Sequence, residues 1–280
     1  MSQPQYGRLD VWQGVASINL ERARESCARL EQRARAADEV ASRDAYLDLL
    51  AATPGERVLD VGCGSGVVTR ALARRVAPSG VAVGLDPSPA LLAVARELAD
   101  QDGIGQQHVE FRVGDARALP FDDAGFNVVV AATSLAHIPD GDRAVPEMVR
   151  VARPGGRVGV FDRDPDSFVI AHPDRALTRR IVGALSDHGS MDGWLARRLP
   201  GLLAGAGLRD VQVRAFTPLE REASGFYAWY ARRAADVAVE TDTISPQERD
   251  GWIEAFKAEQ AAGRLLVGMT HLFVWGIRPH

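Results

Sequence analysis

The sequence predicts an α/β fold built on a doubly wound, mainly parallel sheet of seven strands. Three observations predict it. Short apolar runs alternate with helix-like segments from residue 58 to residue 161, the order of βα units that build a parallel sheet. Most of those runs are apolar throughout, as in Val81-Ala82-Val83-Gly84-Leu85, which suits strands covered by helices on both faces. The first run turns into a helix through glycines at every second position: Val58-Leu59-Asp60-Val61-Gly62-Cys63-Gly64-Ser65-Gly66.

In chain order, residues 1–14 are polar, carry Tyr6 and Trp12, and lack the basic-then-apolar pattern of a signal peptide. Residues 18–40, rich in Arg, Glu and Ala, read as one helix, and 42–52 as a second, closed by Thr53-Pro54-Gly55. Strands follow at 58–61, 81–85, 109–113, 126–131 and 157–161. Helices are predicted at 67–76, 89–100 and 142–152, with a turn at Arg153-Pro154-Gly155-Gly156. Helices at 175–187 and 194–206 precede a sixth strand at 211–216. The last strand, 270–277, alternates around Phe273 and Trp275. Between these two strands lie helices at 223–239 and 246–262. They carry Phe226, Tyr227, Trp229, Tyr230, Trp252 and Phe256, and so form a candidate substrate lid. The expected division is a helical cap at 1–41, an α/β core at 42–217, the lid at 218–265 and a closing strand at 266–280.

Glycines at a strand-to-helix turn let backbone N–H groups approach a ligand with no Cβ in the way. Asp86 ends the second apolar run 20 residues after Gly66, the place for an acid that holds ribose hydroxyls. The spacing is G-x-G-x-G, not the G-x-G-x-x-G of dinucleotide sites. Asp60, two residues before the first glycine, would repel a phosphate but suits an ammonium group.

Asp60 to Gly66, Asp86 and the later Gly114-Asp115-Ala116 resemble the ordered motifs of class I S-adenosylmethionine (SAM)-dependent methyltransferases. The resemblance covers residues 43–162 and is nearest to the quinone C-methyltransferase-like small-molecule enzymes. It implies a Rossmann-like fold whose final two strands form an antiparallel hairpin. It also implies a cofactor site of Asp60, Gly62, Gly64 and Gly66 around the amino-acid part of SAM, with Asp86 on the ribose. Leu85 and Pro87 would flank the adenine, with Asp115 and the backbone of Ala116 on its edge. Thr133 would lie beside SAM, and Arg43 resembles the arginine that reaches its carboxylate. His137, after the fourth strand, is the candidate general base. Asp162 or Arg163, after the fifth strand, with Tyr227, Tyr230 and Trp252, are the candidate acceptor residues. The product would be S-adenosylhomocysteine (SAH).

Composition narrows the rest. A net charge of −4 without a basic stripe gives no reason to expect nucleic acid, and no apolar run is long enough to span a bilayer, so a cytoplasmic location is expected. Cys27 and Cys63 give no disulfide framework or metal-ligand spacing; buried free thiols of this kind are usually inert. Lys257 is the only lysine, which excludes a P-loop. Asp162-Arg163-Asp164-Pro165-Asp166 alternates acids like a calcium loop, but Ser167 stands where that loop needs glycine, and no metal is expected. His172, His188 and His271 read as structural or exposed. A SAM-binding fold used without methyl transfer is the competing reading. An NAD-dependent oxidoreductase is disfavoured by the glycine spacing.

Overall fold

The computed structural model describes Asp10 and residues 12–280. Residues 1–9 and Val11, and the part of the N-terminal reading that rests on them, lie outside the described residues.

Seven strands form the main sheet: β1 (Arg57–Val61), β2 (Val81–Asp86), β3 (Val109–Val113), β4 (Phe126–Ala132), β5 (Ala152–Arg163), β7 (Arg209–Phe216) and β10 (His271–Ile277). Their order is β3-β2-β1-β4-β5-β10-β7. The first five run parallel. Strand β10 lies antiparallel between β5 and β7. Alternate residues face opposite layers, as the two-residue period of a strand requires. Leu59, Val61, Val129 and Val160 pack with helices α5 (Ala144–Val151) and α7 (Leu195–Gly205). Val58, Ala82, Val128 and Phe161 pack with α3 (Val67–Val76) and α4 (Pro89–Gln101). Both faces of the central strands are therefore dry, and β1, β2 and β4 read as nearly unbroken apolar runs for that reason.

Two boundaries differ from expectation. The helix expected over 18–40 is divided into α1 (Leu20–Ala34) and α2 (Ala37–Leu49). Ala36 between them is extended, with ψ 137°, and the Arg43 guanidinium donates to the Ala34 carbonyl at 3.1 Å. Alanine and arginine favour helix locally, so a tertiary contact sets this break. The turn expected at 153–156 lies inside β5. Its register against β4 jumps from Phe126–Ala152 to Val128–Arg157, and Gly155 takes φ +74°, so the four residues form a bulge.

A third core lies over the carboxyl edge of the sheet. It joins α8 (Phe226–Glu240) and α9 (Pro246–Ala261). It also takes in α6 (Arg175–His188) and a small sheet of β6 (Val169–Ile170), β9 (Val267–Gly268) and β8 (Leu219–Glu220). Helix α8 buries Ala228, Ala231, Ala234, Ala235 and Ala238, spaced three and four apart along one stripe. Small side chains there bring α6 and α8 together. The expected lid at 218–265 is thus part of a larger unit that begins before residue 175.

Candidate active site

The glycine turn leaves β1 with Gly62 at φ +73° and Gly64 at φ +53°, values that side chains rarely adopt. A Cβ on Gly62 would lie 2.5 Å from the Ser134 Cβ, so the loop passes too close to the β4 segment for any other residue. Gly66 has a different task. A Cβ there would lie 2.9 Å from the Phe111 ring, and Gly66 does not line the chamber described next; it fits α3 against the sheet.

Above this turn lies a chamber of about 660 Å³, within the usual range of a small-molecule pocket. Gly62, Gly64, Asp60, Asp86 and Pro87 line one end. Asp60 is buried and accepts from the Thr69 hydroxyl at 2.6 Å. Burial pushes its carboxyl up to about 7, against the pull of that hydrogen bond. Asp86 accepts from the Gly64 and Ser88 amides at 3.0 Å each, and burial pushes it up to about 6. Each of its oxygens keeps a lone pair beyond the one used.

The chamber is also lined by Arg33, Glu39, Thr133, Arg163, Phe226 and Tyr230. Arg33 reaches Glu39 at 3.1 Å and the Thr133 hydroxyl at 3.5 Å. The Tyr227 hydroxyl donates to the second Glu39 oxygen at 2.8 Å. Burial alone would raise the Glu39 carboxyl, but the adjacent Arg33 guanidinium holds it at about 2. Thr133 has φ +50° and its amide donates to the Phe161 carbonyl at 2.6 Å.

His137 lies at the wall between two charged neighbours. Arg163 donates to its Nε2 at 2.8 Å. Since arginine can only donate, Nε2 is the acceptor nitrogen and Nδ1 carries the hydrogen. That hydrogen goes to Asp10, whose Oδ2 lies 2.8 Å away. Asp10 also accepts from the Trp12 and Met191 amides, which ties the N-terminal segment over the chamber. Both imidazole nitrogens are engaged, so His137 has no free lone pair here, contrary to the expectation of a poised base.

Five other expected site residues lie outside the lining of the chamber. Asp162 is fully buried and accepts from the Ala136 and Arg163 amides; it props the loop that carries His137. Burial raises its carboxyl. Tyr227 is fully buried and outside the lining, and touches the chamber through Glu39, Glu220 and the edge of the Phe226 ring. Trp252 stacks between His172 and Phe256 and donates to the Thr178 hydroxyl at 3.0 Å, inside the third core. Asp115 is paired with Arg117 at 2.8 Å. Like buried Ala116, it is not among the lining residues, so an adenine amine would have to compete with that pair. Arg43, Thr133 and Tyr230 do line the chamber.

The remaining candidates are inert or occupied. Burial pushes the Cys27 thiol up to about 12 and the Cys63 thiol well above its usual value. Asp164 and Asp166 both face Arg197. Among the described residues no cluster of His, Cys, Asp or Glu could hold a metal ion, and no helix is long and apolar enough to cross a membrane.

A family model for a methyltransferase domain matches residues 58–156. The demethylmenaquinone methyltransferase of Bacillus cytotoxicus is 39% identical over 178 residues, 59% of this chain and 74% of that enzyme. The chain belongs to the class I SAM-dependent methyltransferases. An uncharacterized 37.1 kDa protein in transposon TN4556 of Streptomyces fradiae is 34% identical over 193 residues, 66% of this chain and 55% of that protein. The chain thus spans about half the length of that relative. The YcgJ protein from Bacillus subtilis has the same fold, with TM-score 0.56 and 20% identity, covering 86% of this chain and 99% of that one.

SAM is the cofactor of this family, and the chamber of this methyltransferase fits it. The glycine turn has no side chains to obstruct an amino-acid moiety. Two buried acids, Asp60 and Asp86, line the chamber beside that turn. Glu31 holds the cradle from above. It accepts from the Ser65 hydroxyl and from Arg70, each at 2.7 Å, and so fixes α1 on the loop. Sequence reading missed Glu31, Arg70, Arg33, Glu39 and Asp10. A lone charged residue on a polar helix carries no signal of a partner far along the chain.

Proposed function

We propose that this methyltransferase transfers a methyl group from SAM to a small, partly apolar or aromatic acceptor. The observation that carries the reading is one chamber lined both by a glycine turn with two buried acids and by aromatic and arginine side chains. Asp86 would hold the ribose hydroxyls, Asp60 the ammonium, and the turn at Gly62 and Gly64 the backbone of the amino-acid part. When bound, SAM supplies an electrophilic methyl on a sulfonium that leaves without protonation. The chain's own residues then need only hold the two partners in line and exclude water. Such positioning can supply about 7–11 kcal/mol. Phe226, Tyr230 and Phe161 would flank the acceptor and keep the chamber dry. A base at His137 could add about 10²–10⁴-fold, but only after Arg163 releases Nε2. The acceptor would be a small molecule, since the chamber is roofed by α1 and α8.

Calorimetry of SAM and SAH tests the reading, with micromolar or tighter binding expected. It also carries a pH signature. Because burial raises Asp60 to about 7 and Asp86 to about 6, their contribution to stability is fully present below about pH 4 and is lost as pH rises towards 7. An ammonium and donating hydroxyls favour the ionised carboxylates. SAM affinity should therefore rise from pH 5.5 to 7, with proton release near pH 6. Runs in buffers of different ionisation enthalpy measure that release. No binding of SAM or SAH to folded protein would end the reading.

Arg43 is proposed for the SAM carboxylate. It lines the chamber with no carboxylate partner among the described residues, and its one bond goes to the Ala34 carbonyl. Arg43→Ala should weaken SAM binding roughly tenfold or more, as for a hydrogen bond between charged groups. The exposed Arg35→Ala should leave it unchanged. Equal affinities for the two variants would reject the role.

A further inference from the structure

The acceptor end of the chamber contains an uncommitted arginine. Arg163 is 8% exposed, and buried arginine is ordinarily paired with a carboxylate. Among the described residues none lies within ion-pair distance of it. Its guanidinium makes one hydrogen bond, to His137 Nε2. Residues 1–9 and Val11 contain no Asp or Glu, so they hold no carboxylate for it either. The chamber's own acids are engaged elsewhere: Glu39 on Arg33 and Tyr227, Glu220 on the amides of Phe226 and Tyr227, Asp60 on the Thr69 hydroxyl and Asp86 on the amides of Gly64 and Ser88. Asp162 lies directly behind in sequence, but its oxygens accept backbone amides. Glu222 is exposed at the rim.

The surroundings hold the guanidinium in place. It lies 5.2 Å from the Tyr230 ring centre and 6.0 Å from that of Phe226, within cation–π range. The Asp10–His137 pair supports it from the other side and so fixes its orientation. The planar fork of arginine matches a carboxylate with two parallel N–H bonds, and desolvation inside the chamber strengthens such a pair.

We propose that the acceptor is an aromatic or flat apolar molecule bearing a carboxylate, which pairs with Arg163 while its ring lies against Tyr230 and Phe226. This rests on the methyl-transfer reading above and names the substrate class for the same site. Arg163 is then a specificity-determining residue. It selects the anion, and Asp10 with His137 positions it.

The test uses the full chain saturated with SAH and two probes of the same shape, 2-naphthoate and its neutral counterpart 2-naphthamide, titrated by calorimetry. Naphthoate should bind at least tenfold tighter. Arg163→Gln should abolish that preference and Arg163→Lys keep part of it. Equal affinities, tighter naphthamide binding, or no binding of either probe would overturn the proposal, as would an unchanged preference in Arg163→Gln. The wild-type comparison decides even if a variant fails to fold. Failure of SAH itself to bind would instead remove the methyl-transfer reading and this inference with it. SAH binding without a carboxylate preference removes only the inference.

Discussion

Replacing Arg70 with methionine is expected to lower the unfolding free energy by about 3–5 kcal/mol, the usual cost of removing one partner of a buried ion pair. Arg70 is 5% exposed and spends its guanidinium on Glu31, the Ser65 carbonyl and Asp102, at 2.7, 2.8 and 2.9 Å. Methionine fills much of the same space, so the loss would come from charge and not from a cavity. Glu31 would keep only the Ser65 hydroxyl in a site that water barely reaches. Urea unfolding reads the effect as a lower midpoint at unchanged slope. Glu31→Gln in the same chain should recover part of the loss, because the stranded charge is then gone. A loss below about 1 kcal/mol would mean that water solvates Glu31.

The same substitution should also weaken SAM binding, which separates this ion pair from an ordinary stabilising contact. Helix α1 supplies Ser26, Arg29, Leu30 and Arg33 to the chamber, and Glu31 is the point at which it is fixed to the glycine turn. Freeing that point lets the roof of the cofactor end move while the sheet stays intact.

What the sequence made legible follows from the range of the interactions. The glycine turn, Asp60 and Asp86 lie within one strand–helix–strand unit, so residue type and spacing reveal them. Strands β1, β2, β4 and the second half of β5 are legible because burial on both faces leaves an apolar run, while the largely exposed β7 does not share it. The bulge at 153–156 resembles a turn because the same residues serve both. The acceptor end is different. Tyr227 and Tyr230 are three residues apart on one helix, and both are aromatic. Yet Tyr230 lines the chamber, while Tyr227 lies beneath it and meets Glu39, 188 positions away in the chain. Helical spacing shows that aromatic residues are buried; it does not show against what. Trp252 is the extreme case, a large ring held wholly within the third core. Asp115 could have been doubted from sequence, since Arg117 two residues on competes for its carboxylate.

Removing the Asp86 carboxylate is expected to have the largest effect on the cofactor. Asp86→Ala should weaken SAM binding by about 1.5–3 kcal/mol, the range for hydrogen bonds to a charged group, read by calorimetry near pH 7.5. The residue does two things, and two variants separate them. Its oxygens already accept the Gly64 and Ser88 amides, which shapes the glycine turn. Alanine removes that support together with any ribose contact. Asparagine keeps one amide acceptor but carries no charge. If Asp86 acts mainly by shaping the turn, Asp86→Asn, which keeps an acceptor for one of the two amides and sets a donor against the other, should lose only part of what alanine loses. If it acts as an anion for the ribose hydroxyls, Asp86→Asn should lose most of what alanine loses. The proton release near pH 6 should then shrink, because the group that burial raises to about 6 is gone. The ribose role predicts the second pattern. Unchanged affinity in Asp86→Ala would rule out both, and place the nucleoside elsewhere in the chamber.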